Sequence, residues 1–296
     1  MPFSEGPCGR NPAGAMLATH MSPSHDVASH YAREGALTGR ILSALTAAGK
    51  DLSRLSAADL TPYDQFHSRG HRATEELAQL LSPQSDALVL DLGCGIGGPA
   101  RWLADQRGCR VVGLDLTEVY CTTARELSAR VGLEGRSSFV CGNGLALPFA
   151  DAGFDQVWTQ HAAMNIADKA RLYREVARVL KPGGRFGLYD VMAGPGGDPH
   201  FPLPWSSKAA WSHLTAPEAV REAILATGLK ERHWRDLTAE AKAWSEKAVA
   251  AQEAGQTTAG PAIILGPSFA EMVANLRRSL FEDRITVVQG VFDKPG

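Results

Sequence analysis

At 296 residues the chain is long enough for one large α/β domain or two small ones around a sizeable core. A formal charge of −2 and a pI near 6.5 leave no electrostatic footprint for nucleic acid or an anionic membrane. No apolar run approaches the ~18 residues of a transmembrane helix, and the opening MPFSEGPCGRNPAGA lacks the apolar core of a signal peptide.

Residues 1–26, rich in Gly, Pro, Ser and His, read as a disordered leader. Residues 27–86 read as N-terminal helices and a lid. Val27–Ala48 has the amphipathic spacing of a helix, with Tyr31, Ile41, Leu42 and Leu45 apolar. A second piece over Leu52–Leu60 should end where Pro62 pushes Thr61 out of the helical region. A third helix carries Ala73, Leu77, Leu80 and Leu81. Between them Tyr63, Gln65, Phe66, His67 and Arg69 are polar and aromatic in a short space. They form either a surface turn or a loop closing over a ligand.

Residues 87–296 alternate strands and helices. Strands are expected at Ala87–Leu92, Arg110–Leu116, Ser138–Cys141, Gln156–Gln160 and Arg185–Tyr189, with Lys181–Gly184 as a turn before the fifth. That alternation means a doubly wound, mostly parallel α/β sheet with ligands over the carboxyl ends of its strands. Residues 190–213 read as a lid loop. Thr215 is placed as the cap of a helix over Ala216–Thr227, followed by strand six at Leu229–Asp236. Residues 237–283 form a helical insertion before a last strand, Ile285–Phe292. Five cysteines (Cys8, Cys94, Cys109, Cys121, Cys141), odd in number and without CxxC spacing, read as buried free thiols. The expectation is a cytoplasmic protein with no metal.

The chemistry concentrates after strand one. Ala87–Leu92 runs into Gly93, Gly95, Gly97 and Gly98, and Pro99 stands where a first helical residue would. Such a turn lets a ligand lie on bare backbone at a helix N-terminus. The spacing Gly93-x-Gly95-x-x-Gly98 also matches a dinucleotide fingerprint. Asp91 discriminates, because a carboxylate there repels a pyrophosphate and suits an ammonium. A ligand with an ammonium, a sulfonium and one carboxylate fits: S-adenosylmethionine. Asp115 ends strand two, where a carboxylate accepts both hydroxyls of a ribose. Leu116 would pack on adenine, and Asn143 would bond its edge.

The ordered motifs VLDLGCGIGG, VVGLDLT, GNGLALPF, FDQVWTQHAAMNI and LKPGGRFGLYD resemble those of class I S-adenosylmethionine-dependent methyltransferases. Within that class the chain resembles the group of ubiquinone, menaquinone and sterol C-methyltransferases and sarcosine/dimethylglycine N-methyltransferases. DQFHSRGHRAT is most similar to the last of these. The resemblance implies a Rossmann-like, seven-stranded sheet with an antiparallel last strand. It also implies methyl transfer to a small-molecule acceptor, releasing S-adenosylhomocysteine. Asn143 stands where the family usually has Asp. Candidate cofactor contacts are Asp91, Gly93, Cys94, Gly95, Gly98, Asp115, Leu116, Thr117, Asn143, Gly144, Gln160, Tyr31 and Gln65. Catalytic candidates are His161, Gln160 and Asn165. Candidate acceptor contacts are Tyr63, Phe66, His67, Met164, Asp190, His200 and Trp205. A silent cofactor-binding sensor and a NAD-linked oxidoreductase are the alternatives.

Overall fold

The computed structural model describes residues 37–254 and 260–296. The expected leader, Tyr31 and Cys8 lie outside the described residues. Three helices precede the sheet: α1 (Leu37–Ala47), α2 (Ala57–Asp64) and α3 (His71–Leu81). Then follow β1 (Leu88–Leu92), α4 (Gly98–Arg107), β2 (Arg110–Asp115), α5 (Glu118–Arg130), β3 (Ser137–Cys141) and β4 (Phe154–Gln160). The chain continues through α6 (Lys169–Val179), β5 (Leu180–Ala193), α7 (Pro217–Leu225) and β6 (Lys230–Asp236). Helices α8 (Thr238–Glu253), α9 (Gly260–Leu265) and α10 (Phe269–Phe281) stand between β6 and β7 (Ile285–Asp293).

The seven strands lie in the order β3-β2-β1-β4-β5-β7-β6. All neighbours are parallel except β7, which runs against both β5 and β6. The strand order reverses between β1 and β4, and such a switch point opens a crevice at the strand tips. Val89 and Leu90 of β1 are both fully buried, so helices cover both faces of the sheet. Helix α6 shows why one face turns inward: Leu172, Tyr173, Val176 and Val179 share a stripe, and Asp168 caps its start by accepting the Arg171 N–H. No helix among the described residues is long and apolar enough to cross a membrane. Cys94, Cys109 and Cys121 are buried free thiols, whereas Cys141 is exposed.

Four local expectations fail, each for a physical reason. Pro62 does not end a helix but sits inside α2. A Ser56–Asp59 capping box starts that helix, and its last turn is held from outside. Leu60 and Tyr63 are buried with Ile41, Leu45, Ile96, Tyr120 and Ile264, which outweighs a proline cost of about 3 kcal/mol. The segment 190–213 is not all loop, because Asp190–Ala193 continue β5, paired with Ile285–Val288 of β7. Val191 and Met192 are apolar and buried there, so the strand gains by running on. Thr215 does not cap α7: Ala216 is the N-cap and Pro217 opens the helix, while the Thr215 hydroxyl turns to the His213 carbonyl. Residues Lys181–Gly184, expected as a turn, belong to β5 instead: their pairing with β4 is interrupted between Leu180 and Arg185, but Gly183 and Gly184 bond to the Lys294 backbone on the other side.

One buried ion pair fixes the N-terminal helices on the sheet. Arg101 of α4 donates to Asp64 of α2 at 2.9 Å, with both side chains almost fully buried. Gly98 makes this approach possible, because a Cβ there would fall 2.2 Å from the Asp64 carbonyl oxygen. Arg101→Met leaves Asp64 buried and unpaired, so stability should drop by about 3–5 kcal/mol. Urea denaturation measures this, and a loss below about 1 kcal/mol would mean the pair matters no more than a surface contact.

Candidate functional site

The β1 tip is a turn of bare backbone. Gly93, Gly95 and Gly97 all have positive φ, a conformation that costs glycine little. The Gly93 and Cys94 N–H groups donate to the Leu114 carbonyl, which ties the turn to β2. The Cys94 thiol points inward, against Gly113. Asp115 accepts the Gly95 N–H at one oxygen and the Thr117 N–H at the other, both at 2.9 Å. A carboxylate has about four acceptor positions, so it retains capacity for two hydroxyls. The Phe66 ring lies over Gly95, 3.6 Å from where a Cβ would stand.

Asp91 is buried, and its Oδ2 has no hydrogen-bond partner. Burial, reinforced by the Asp115 charge, pushes its pKa up to about 7, against a lowering contribution from the neighbouring Trp158 indole. A buried carboxyl without a partner is costly unless something cationic or donating meets it. Asn143 is exposed, and its Oδ1 already takes the Leu145 N–H, which leaves its Nδ2 as a donor. Gly144 is buried against Leu92, Leu172 and Ile166, where a side chain would crowd the core. Leu116 is half-buried beside Asp115.

The second half of the site gathers side chains from α2–α3, β4 and β5. Two hydroxyls are its hubs. Thr74 Oγ1 lies 2.9 Å from Gln65 Oε1, 3.0 Å from His67 Nε2 and 3.3 Å from Gln160 Oε1. Ser68 Oγ lies 2.9 Å from the Tyr189 hydroxyl and 3.3 Å from His161 Nε2. His161 follows the last residue of β4 with a positive φ, donates its backbone N–H to the Tyr189 carbonyl and stacks on the Tyr189 ring. Burial and the nearby His67 hold His161 well below the usual histidine range. Burial takes His67 down to about 4. Gln160 Nε2 is buried without a partner.

Other candidates serve the frame. Both Asp190 oxygens accept backbone N–H groups, from Ala163 and Val191. Lys169 Nζ donates to the carbonyls of Ala163, Ile166 and His213, fixing the loop after β4. Asn165 donates to the Trp205 carbonyl at 2.7 Å, which joins that loop to the 194–213 segment. Met164 and Trp205 are buried in one apolar cluster with Val191 and Leu203. Tyr63 is buried between the N-terminal helices and α9. His200 is drawn to α10, where its ring meets Glu282 at 2.8 Å and its N–H meets Ser279. The structure therefore brings Gln65, His67, Gln160 and His161 together, with Phe66 over the Gly turn, and places His200 elsewhere.

Sequence reasoning did not single out Ser68, Thr74, Tyr189 and Lys169. Tyr189 sits in an apolar strand and reads as core. Ser68 and Thr74 lie inside the DQFHSRGHRAT segment, and that resemblance was the one signal available for them.

Residues 90–188 match a family model described as a methyltransferase domain. The chain is 37% identical over 134 residues to Methyltransferase GfsG of Streptomyces halstedii, covering 45% of this chain and 48% of that protein. It is 32% identical over 178 residues to a glycine/sarcosine/dimethylglycine N-methyltransferase of Actinopolyspora halophila, covering 60% of this chain and 32% of that one. The matched stretch thus spans less than half the length of these curated relatives. Among solved structures, geranyl diphosphate C-methyltransferase of Streptomyces coelicolor A3(2) superposes with a TM-score of 0.69 at 18% identity, covering 94% of this chain and 100% of that one. The superposition and the matched family model agree on the fold. The match over residues 90–188 is thus to a methyltransferase domain model, and the seven-stranded sheet that carries it has the Rossmann-like methyltransferase fold.

Proposed function

We propose that the chain is an S-adenosylmethionine-dependent methyltransferase acting on a small-molecule acceptor and releasing S-adenosylhomocysteine. The observation that carries this is the partnerless Asp91 oxygen beside a bare glycine turn, 24 residues before the diol-ready Asp115. Asp91 would hold an ammonium, the Gly93–Gly95 backbone would hold the amino-acid part, and Asp115 would hold the ribose. Leu116 and the Asn143 amide would flank adenine. When bound, the cofactor supplies a methyl group activated on a sulfonium. The protein's own task is to align an acceptor, exclude water and take up any proton released.

His161, at the β4 tip and held neutral, is the candidate proton acceptor. Phe66, His67 and Gln160 are the nearest candidates for contact with an acceptor. Residues 37–86 act in this reading as a strap over the strand tips, and 194–213 as a second wall. A silent binder would not need this convergence of polar groups after β4. A NAD-linked enzyme would place its pyrophosphate against Asp91. Free cysteines among the described residues support a reducing, cytoplasmic setting.

Asp115→Ala should weaken S-adenosylmethionine binding by roughly 1.5–3 kcal/mol, the scale of hydrogen bonds to a charged group. Gly95→Val should do worse, since its side chain would meet Phe66 in a strained conformation. Calorimetry showing wild-type affinity in both variants would remove the cofactor assignment.

Asp91 gives a pH signature. In the free protein its raised pKa keeps it largely protonated below about 7, whereas an ammonium ligand needs the carboxylate. Binding should therefore release a proton. Affinity should fall as pH drops below about 7, by at most ~10-fold per unit, and level off above it. Asp91→Asn should bind weakly with no such slope. Calorimetry in two buffers of different ionisation enthalpy counts the proton, and a pH-independent wild type would contradict the role.

His161→Ala should keep cofactor affinity within a few-fold but lower methyl transfer by ~10²–10⁴-fold. Transfer is read as cofactor-derived label in a panel of amines, phenols and quinones. Because His161 is neutral near pH 7, wild-type turnover should fall on its account only towards acid. A protein that binds the cofactor tightly but labels none of a broad panel would favour the silent-binder reading.

A further inference from the structure

The hydrogen bonds around His161 run in one direction. The Tyr189 hydroxyl donates to the Ser68 carbonyl oxygen at 3.2 Å, and that oxygen can only accept. A phenol has one proton; with that proton on the carbonyl, the 2.9 Å contact between the Tyr189 oxygen and Ser68 Oγ, where either atom can donate, falls to the serine hydroxyl. Arg69, which only donates, also lies against the phenol oxygen and marks it as an acceptor. Ser68 has then spent its single proton. Its 3.3 Å contact with His161 Nε2 requires an N–H on the ring. The ring cannot easily turn away, because it is stacked on Tyr189 with centroids 5.1 Å apart. Nδ1 makes no hydrogen bond to any described residue.

We propose that Ser68 and Tyr189 are positioning residues that hold His161 as its Nε2–H tautomer and leave Nδ1 as the proton acceptor at the strand tips. The use of that lone pair rests on the methyl-transfer reading; the tautomer does not. An acceptor bearing an O–H or N–H would give its proton to Nδ1 and keep the electron pair on its own atom. The ring would become a cation whose Nε2–H stays bonded to Ser68.

Long-range proton–nitrogen correlation spectra of ¹⁵N-labelled protein near pH 7 test this without any acceptor. Loss of signals in His161→Gln assigns the ring. Wild type should show a protonated Nε2 and an unprotonated Nδ1. In Ser68→Ala, and in Tyr189→Phe where the serine proton is freed to point at Nε2, the Nδ1–H form should appear. Ser68→Thr, which keeps the hydroxyl, should restore the wild-type pattern. Circular dichroism confirms that each variant is folded, and the Tyr189→Phe change removes only one oxygen. A wild-type ring protonated at Nδ1, or a pattern unmoved in both Ser68→Ala and Tyr189→Phe, would overturn the proposal. If the tautomer holds but His161→Ala transfers methyl normally, the failure lies in the use of the base and not in its positioning.

Discussion

A carboxyl group kept dry at the tip of the central strand sets the terms for the rest of the site. Asp91 lies at the switch point, in register with Gly113 on one side and Trp158 on the other. Ionising it without a partner costs several kcal/mol, and the free fold answers by letting it hold its proton near neutrality. The Trp158 indole offers it partial relief, and no basic side chain pairs with it among the described residues. Gly113 offers none, and Asp115 is committed to the turn and repels it. A sequence that wanted only stability would place an apolar residue or a paired carboxylate here. Keeping an unpaired one is a local sacrifice of the kind found where a ligand completes the structure.

The N-terminal helices are built to sit on that site without being welded to it. Apolar packing of Leu60, Tyr63, Ile41 and Leu45, with the Asp64–Arg101 pair, holds α1 and α2 down. The contacts nearer the strand tips are of another kind. Thr74 and Ser68 each bring several partners to one hydroxyl, and a neutral hydrogen bond nets only about 0.5–1.5 kcal/mol. The segment between α2 and α3 is thus anchored at one end by a core and at the other by exchangeable bonds. Local opening of such a segment is far cheaper than unfolding the helices beside it.

The cofactor half was legible because its signals are local. A strand, a glycine turn and a second carboxylate at the end of the next strand fall within one βαβ unit, and each residue type has a backbone reason to be there. The doubly wound, mostly parallel sheet followed from the alternation, and the antiparallel last strand from the family resemblance. What failed was decided by tertiary contacts. Pro62 survives inside α2 because residues far away in sequence bury its neighbours. Strand β5 runs four residues past its expected end because β7 pairs with it. His200 looked like a wall residue by its place in a loop, yet Glu282, 82 residues on, takes its ring. Tyr189 was hidden by its own strand, since an aromatic among apolar residues gives no sign that its hydroxyl meets a serine from another layer.

The two halves also differ in charge, and the difference bears on chemistry. The half under β1 and β2 carries carboxylates. The half over β4 and β5 carries basic side chains whose charges are absent or engaged. His67 and His161 are neutral through burial, Arg69 Nη2 donates to both Glu76 oxygens, and Lys169 is spent on three carbonyls. A cationic sulfonium placed between these halves would meet attraction from below and no net repulsion from above. Methyl transfer from a sulfonium spreads and then loses that positive charge. A face of fixed neutral dipoles suits such a reaction, because it need not reorganise as the charge fades. Burial of the two histidines, which looks from the fold like an expense, is what keeps that face neutral.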